Sequence, residues 1–119
     1  MKLLVEDNLQ AVFSFVAANM LTQLERSQYG TRCVYRSHGG KKCAGGFLIP
    51  DECYTFRMEG KSISDLEFFQ ENYPNSINLI YSLQRIHDLS VVQEWRKELA
   101  KLGCRYGLNI EACYTPFPS

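Results

Sequence analysis

Apolar residues recur every three or four positions near the N-terminus, as they do on one side of an amphipathic helix. This spacing predicts a helix over residues 8–27 with its apolar stripe facing the core. Asp7 and Gln10 have the spacing of a capping box, and Gly30 is expected to end the helix before extended chain. The stripe consists of Leu9, Val12, Phe13, Val16, Ala17, Met20, Leu21 and Leu24.

Two segments with the composition of short strands follow this helix. Residues 31–37 and 41–48 flank the tripeptide that runs from His38 to Gly40. A three-residue loop with a glycine at positive φ predicts an antiparallel hairpin here.

The register of this hairpin determines which side chains share a face. A two-residue loop would place Cys43 on the face opposite Cys33. The three-residue loop instead pairs Tyr35 with Cys43 and Cys33 with Gly45. Because side chains alternate along a strand, Cys33, Tyr35 and Cys43 are then expected on one face, directed inward. Arg36 and Lys42 occupy the other face.

Three more helices are expected in the second half of the chain. Ser64 begins a short helix with a capping box, and a longer helix covers about residues 76–88. Ser90 begins the last helix with another capping box, and this helix ends at Gly103 or Gly107. The inward positions predicted by helical spacing are Leu66, Phe69, Tyr73, Leu79, Leu83, Ile86, Val92, Trp95, Leu99 and Leu102.

These elements predict an α+β fold in which four helices pack with one antiparallel β-hairpin. Residues 1–119 are sufficient for one small domain with a single core. Residues 108–119 contain two prolines and no helical period, so they are expected to form an extended C-terminal tail.

The charge and cysteine content narrow the classes of function. The 13 cationic and 13 anionic side chains cancel, which excludes the strong positive field of a general nucleic-acid binder. Glu6 and Asp7 interrupt the apolar start, so no membrane partner is expected and a cytoplasmic location is predicted. The five cysteines lack CxxC pairs, which favours reduced thiols.

Cysteine and histidine provide the candidates for metal chemistry. Cys33, Cys43 and Cys53 could supply zinc ligands together with His38 or His87, but their ten-residue recurrence differs from the closely spaced pairs of known zinc sites. We therefore predict buried thiols, no cofactor and no metal. The glycines of residues 39–46 match neither a phosphate-binding loop nor a dinucleotide motif.

A polar cluster is the candidate for acid–base chemistry. His87 and Asp88 are adjacent, and Asp51 and Glu59 could converge with them from the loop that follows the hairpin. Neighbouring helical residues point about 100° apart, so His87 and Asp88 are not expected to pair directly while helical. The favoured interpretation of His87 is a dipole partner or cap at a helix C-terminus.

A small basic cluster is the candidate interaction surface. Its cations can bind phosphate or an acidic protein surface, or they can protect a hairpin edge from aggregation. Aromatic residues that could anchor a partner are Tyr29, Tyr35, Tyr54, Phe56, Tyr114 and Phe117. The basic cluster and its neighbours are Arg32, Tyr35, Arg36, His38, Lys41 and Lys42.

Several short motifs together resemble a family of small phage and prophage proteins of unassigned function. The similarity spans about residues 8–107. The motifs are the residues of 33–36, 40–46, 48–51, 59–60 and 83–88, together with Trp95. The resemblance implies a phage or prophage source and a bacterial cytoplasm, but no activity and no catalytic residue.

Three functions remain open at this point. We favour a non-enzymatic, protein-binding module that modulates or inhibits a host or defence protein. One alternative is a metal-dependent or acid–base hydrolase with its site near His87 and the Cys33/Cys43 hairpin. The other alternative is nucleic-acid binding through the basic hairpin. The oligomeric state is not predicted.

Overall fold

The N-terminal apolar stripe belongs to a helix, α1, which spans Leu9–Gln23 in the computed structural model. This structure describes residues 3–114. The predicted helix was four residues too long at its end, because Leu24 adopts a left-handed conformation with a φ of 50° and terminates it. The predicted capping box was wrong, since the cap is Asn8, whose side chain accepts the Ala11 N–H. Asp7 instead accepts the backbone N–H of Asn75.

The strands are shorter than predicted and lie earlier in the chain. Strand β1 spans Gln28–Tyr29 and pairs antiparallel with β2, which spans Arg32–Cys33. Gly30 occupies the turn between them with a φ of 63°, so its role is in the hairpin turn and not at a helix end. The predicted strand over residues 41–48 is wrong for most of its length, because Ala44–Leu48 form a short helix, α2.

The predicted register is observed only beside the loop of residues 38–40. Arg36 and Lys42 form an isolated antiparallel bridge, in the pairing that a loop from His38 to Gly40 requires, and Gly40 has a φ of 79°. The predicted pairing of Cys33 with Gly45 does not form, because Cys43 caps α2 and its sulfur accepts the Gly46 N–H.

The remaining helices lie where the sequence predicts them, but their first residues differ from the prediction. They are α3 (Glu67–Asn72), α4 (Ile77–Leu89) and α5 (Trp95–Arg105). The capping boxes predicted at Ser64 and Ser90 were both wrong. Leu66 is the cap of α3, and Ser90 ends α4, with a 3-10 turn over Val92–Glu94 before α5. The last helix was predicted to end at Gly103 or at Gly107. Helix α5 ends at Arg105, and Gly107, with a φ of 70°, follows it, in agreement with the second alternative.

Helix α4 lies at the centre and packs against α1, α2, α5 and the 3-10 turn of Ile63–Asp65. The described chain therefore has five helices and one antiparallel hairpin, so the α+β class is confirmed and the helix count was one too low. Of the positions predicted to be inward in the second half, Ile86 and Val92 are half-buried. The buried ones are Leu66, Phe69, Tyr73, Leu79, Leu83, Trp95, Leu99 and Leu102.

The segment after α5 packs back onto the body of the protein. A 3-10 turn over Glu111–Cys113 contacts α1, and Cys113 is buried. Residues 108–114 are thus docked and do not form the extended tail predicted, while residues 115–119 lie outside the described part of the chain. Within residues 3–114, no helix combines the length and apolar composition needed to span a bilayer.

Candidate functional site

His87 lies in the last turn of α4 and is completely buried. Its Nε2 accepts the backbone N–H of Ser27 at 3.1 Å, and its Nδ1 lies 2.8 Å from Oδ1 of Asp88. Because Nε2 accepts a hydrogen bond, the ring proton must be on Nδ1 and the imidazole is neutral. Its ring also packs against Trp95, with the ring centroids 5.4 Å apart.

The contact between His87 and Asp88 corrects the prediction that neighbouring helical residues cannot pair. The angle of about 100° describes the directions in which the two side chains leave the helix, and side-chain torsions close the remaining gap. The role of His87 also differs from the expected dipole partner. Its neutral ring binds the backbone of the α1–β1 connection and carries no positive charge toward the end of α4.

Asp88 collects hydrogen bonds from several parts of the chain. Its Oδ1 is 2.8 Å from both His87 Nδ1 and Gln84 Nε2, and the Cys33 thiol is a further donor. Gln84 in turn accepts the Gly45 N–H through Oε1 at 2.9 Å. Burial favours the protonated carboxyl, but the hydrogen bonds from His87, Cys33 and Gln84 outweigh it, and the pKa of Asp88 lies below its usual value.

The thiol of Cys33 keeps its proton at neutral pH. Partial burial, and then the negative charge of Asp88, raise its pKa to about 11. Since the thiolate is the nucleophile, Cys33 in this environment is a hydrogen-bond donor with low nucleophilic reactivity.

Cys33, His87 and Asp88 each offer a metal ligand atom, and these three atoms lie within 4.8 Å of one another. Thiolate, imidazole and carboxylate are the ligand types that zinc prefers. A metal on Nδ1 would displace the ring proton, which would have to move to Nε2 and face the Ser27 N–H. Metal binding therefore requires breaking a buried hydrogen bond. The three side chains are better arranged to hydrogen-bond to one another than to coordinate a metal ion.

The other two candidate thiols do not join this group. Cys43 is buried, its sulfur accepts the Gly46 N–H, and burial raises its pKa further than that of Cys33. Cys53 is half-buried on the 3-10 turn of Asp51–Cys53.

A cavity of about 350 Å³ opens beside the cluster of Cys33, His87 and Asp88. Cys33, Gln84 and Asp88 line it, while His87 lies behind them. The cavity gives a small polar molecule access to the Asp88 carboxylate, whose side chain is 33% exposed.

Asp51 and Glu59 belong to a separate cluster. The Glu59 carboxylate accepts the backbone N–H groups of Tyr35 and Arg36 at 2.8 and 3.2 Å, and the Tyr54 hydroxyl at 2.6 Å. The Arg36 guanidinium donates to Asp51 at 2.6 Å and lies 4.9 Å from the centre of the Tyr54 ring. Asp51 and Glu59 both bind Arg36, whereas His87 binds Asp88. The predicted convergence of the four side chains at one site is therefore not observed.

Most of the predicted basic cluster is neutralised. Arg36 forms a close ion pair with Asp51, and Lys42 lies 3.9 Å from the same carboxylate. Lys41 pairs with Glu25 at 3.5 Å. Tyr35 is buried, as the inward-face prediction requires, and donates its hydroxyl to the Lys61 carbonyl, so it is unavailable to a partner.

Arg32 and His38 remain exposed, and two exposed aromatic side chains accompany them. Tyr29 is 66% exposed and Phe56 is 83% exposed, and both border a groove of about 620 Å³. The His38 ring packs on Tyr29 with the centroids 5.8 Å apart. We call Tyr29, Arg32, His38 and Phe56 the hairpin face.

Sequence reasoning missed Ser27, Gln84 and Gly45 as parts of the site. Gln84 precedes Asp88 by one helical turn, so an i,i+4 search around the acid would have found it. Ser27 and Gly45 contribute only backbone N–H groups, which leave no signal in side-chain identity.

No protein-family description, no curated protein and no solved structure matches this chain.

Proposed function

We propose that the protein is a binding module that attaches to another protein through the hairpin face. The resemblance to phage and prophage proteins favours a bacterial host or defence protein as the partner, with modulation or inhibition as the effect. The bound partner would cover Tyr29, Arg32, His38 and Phe56.

One observation carries the proposal, namely that Tyr29 and Phe56 border the same groove and are both largely exposed. Two large exposed rings at one place leave apolar surface in contact with water. A partner that covers them would bury this surface, which favours binding. Aromatic and arginine side chains are enriched among the residues that dominate protein–protein binding energies.

The base of the groove is held in place before any partner arrives. Glu59 receives three hydrogen bonds, and Arg36 is bound to Asp51 and to the Ile49 carbonyl. A preformed groove lowers the entropy lost on association, which raises affinity without additional contacts.

The charge of the groove suggests what the partner presents. Arg32 has no ion pair within residues 3–114, whereas Arg36, Lys41 and Lys42 do. A partner segment with one acidic side chain next to an apolar one would meet Arg32 and the two rings together.

The test uses three purified forms: the wild type, a Tyr29→Ser/Phe56→Ser variant, and a Leu4→Ser/Val91→Ser control. Leu4 and Val91 are 55% and 56% exposed and do not line the groove beside Tyr29 and Phe56, so the control removes exposed apolar surface elsewhere. We expect a bacterial protein captured by the wild type to bind the control equally. We expect its measured Kd for the hairpin-face variant to rise at least about tenfold, because hot-spot residues cost about 2 kcal/mol or more.

Unchanged melting temperatures would show that all three forms are folded. An equal Kd for the wild type and the hairpin-face variant would refute the proposal.

The two alternatives have less support in the geometry. A hydrolase at Cys33 and His87 would have to use a protonated thiol and an imidazole whose Nε2 is already bound to Ser27. Nucleic-acid binding through the hairpin would rely on cations of which Arg36, Lys41 and Lys42 already pair with carboxylates.

A further inference from the structure

Helix α5 carries a row of cations that was not predicted as a site. Lys97, Lys101 and Arg105 follow one another at intervals of four residues, so they lie along one side of the helix, about 6 Å apart. All three side chains are exposed, and the opposite side of α5 packs into the core through residues such as Trp95 and Leu99.

This row differs from the hairpin in how little of its charge is neutralised. Only Lys101 has an ion pair, with Glu98 at 3.8 Å, and an exposed pair of this kind contributes little. Lys97 and Arg105 have no ion pair within the described residues. A protein with no net charge therefore presents a local positive surface on α5.

The row lies along a shallow, open groove of about 800 Å³. Ala100 and Cys104 line the groove next to the cations, and Ile110 and Tyr114 border it from the C-terminal segment. Arg96 also lines it, and its Nε donates to the Cys113 carbonyl at 2.7 Å, which fixes the guanidinium at the groove.

Tyr114 supplies an aromatic ring at the edge of this positive groove, and the ring is 59% exposed. Proteins that bind single-stranded nucleic acid combine a positive groove along the backbone with aromatic rings on which bases stack. A duplex hides its bases from such a ring, and an acidic protein surface has no base to stack on it.

The geometry points to single-stranded nucleic acid as the ligand of the α5 groove, with phosphates on Lys97, Lys101 and Arg105 and one base on Tyr114. This site is independent of the hairpin face, so either can fail without the other. Three phosphate contacts predict that log K falls with log[salt] with a slope of about −2.

The test measures fluorescence anisotropy of a labelled twelve-nucleotide oligothymidine at several salt concentrations. The α5 variant is Lys97→Gln/Lys101→Gln/Arg105→Gln, and the hairpin control, Lys41→Gln/Lys42→Gln/Arg57→Gln, removes the same charge from the hairpin region, outside the α5 groove. We expect the α5 variant to bind at least about tenfold more weakly with a slope near zero, and the control to bind as the wild type does.

Tyr114→Ala provides the second readout. We expect it to weaken binding by about fivefold or more while leaving the salt slope unchanged, since stacking releases no counterions. The proposal is overturned if the oligonucleotide shows no saturable binding at low salt, or if the hairpin control loses as much affinity as the α5 variant. Equal or tighter binding of a duplex, or of polyglutamate of similar charge, would likewise overturn it.

Discussion

At the scale of single residues, Asp88 is the group on which three hydrogen-bond donors converge. His87 and Gln84 donate to it from α4, and Cys33 donates from β2. His87 and Gln84 are themselves held by the backbone N–H groups of Ser27 and Gly45. One carboxylate therefore links the hairpin, α2 and α4, and its loss leaves several donors without an acceptor.

We predict that Asp88→Asn lowers the free energy of unfolding at pH 7 by about 1–3 kcal/mol. The amide group of asparagine brings its own N–H donors toward those of His87 and Gln84. Urea denaturation measures the change, and Glu52→Gln, at an exposed carboxylate, is the control. A loss no larger than that of the control would show that the network contributes nothing to stability.

The same variant predicts a pH dependence. The pKa of Asp88 is lower in the folded than in the unfolded chain, so its stabilising effect is complete above the unfolded value of about 3.9. That effect is lost as the pH falls through the folded pKa. The difference in unfolding free energy between wild type and Asp88→Asn should therefore shrink as the pH is lowered from about 5, and a constant difference would contradict the assignment.

At the scale of elements, the short helix α2 is the part of the fold that sequence reasoning placed in the wrong class. Its five residues include Gly45 and Gly46, and a segment this short shows no clear period. The glycines are explained by contacts. A Cβ on Gly45 would lie 2.6 Å from Ile63 Cδ1, and one on Gly46 would overlap the Tyr35 carbonyl oxygen.

We predict that Gly46→Ala lowers the free energy of unfolding by about 1–3 kcal/mol, as overpacking does. Helix propensity alone would favour alanine by about 1 kcal/mol, so the sign of the effect distinguishes the contact from propensity. Gly39→Ala is the control, because a Cβ there meets no atom within 4 Å, and we expect a change within about 0.5 kcal/mol. A stabilised Gly46→Ala protein would exclude the close approach of α2 to Tyr35.

At the scale of the whole molecule, the two ends of the described chain are held together. Gln10 on α1 donates to the Asn109 carbonyl at 2.9 Å and accepts the Asn109 N–H at 2.8 Å. The turn of Glu111–Cys113 packs on the same helix. Residues almost a hundred positions apart in sequence are therefore part of one structural unit, which favours a single cooperative unfolding transition.

We predict that Gln10→Ala lowers the free energy of unfolding by about 1 kcal/mol or more, since the two hydrogen bonds to Asn109 and the one to Ser14 are lost at a half-buried position. Fluorescence of Trp95 and far-ultraviolet circular dichroism should report the same transition midpoint in wild type and variant. Separate midpoints for the two signals would show that the C-terminal segment unfolds independently. Gln93→Ala, at an exposed position on the turn before α5, is the control.

The composition also could not predict how charge is distributed over the surface of the folded molecule. The local cluster of cations along the sequence lies at the hairpin, so the basic patch was predicted there. Folding brings Asp51 and Glu25 to the hairpin cations and leaves Lys97 and Arg105 on α5 without carboxylates within the described residues.

The sequence by itself determined the α+β class, the positions of α1, α3, α4 and α5, and most of the core. These features depend on the repeat of apolar residues within about twenty positions, which is a local property of the chain. His87 and Asp88 were also identifiable as a candidate pair, because they are adjacent.

Only the tertiary structure decided that residues 44–48 are helical, that His87 binds Ser27 and Asp88, and which cations are neutralised. Each of these outcomes involves an atom that arrives from a distant part of the chain: the Gln84 oxygen that accepts the Gly45 N–H of α2, the Ser27 N–H at His87, and Asp51 at Arg36. Backbone groups have no residue identity, and ion pairs form between whichever charges folding brings together. No local pattern in the sequence could specify these contacts.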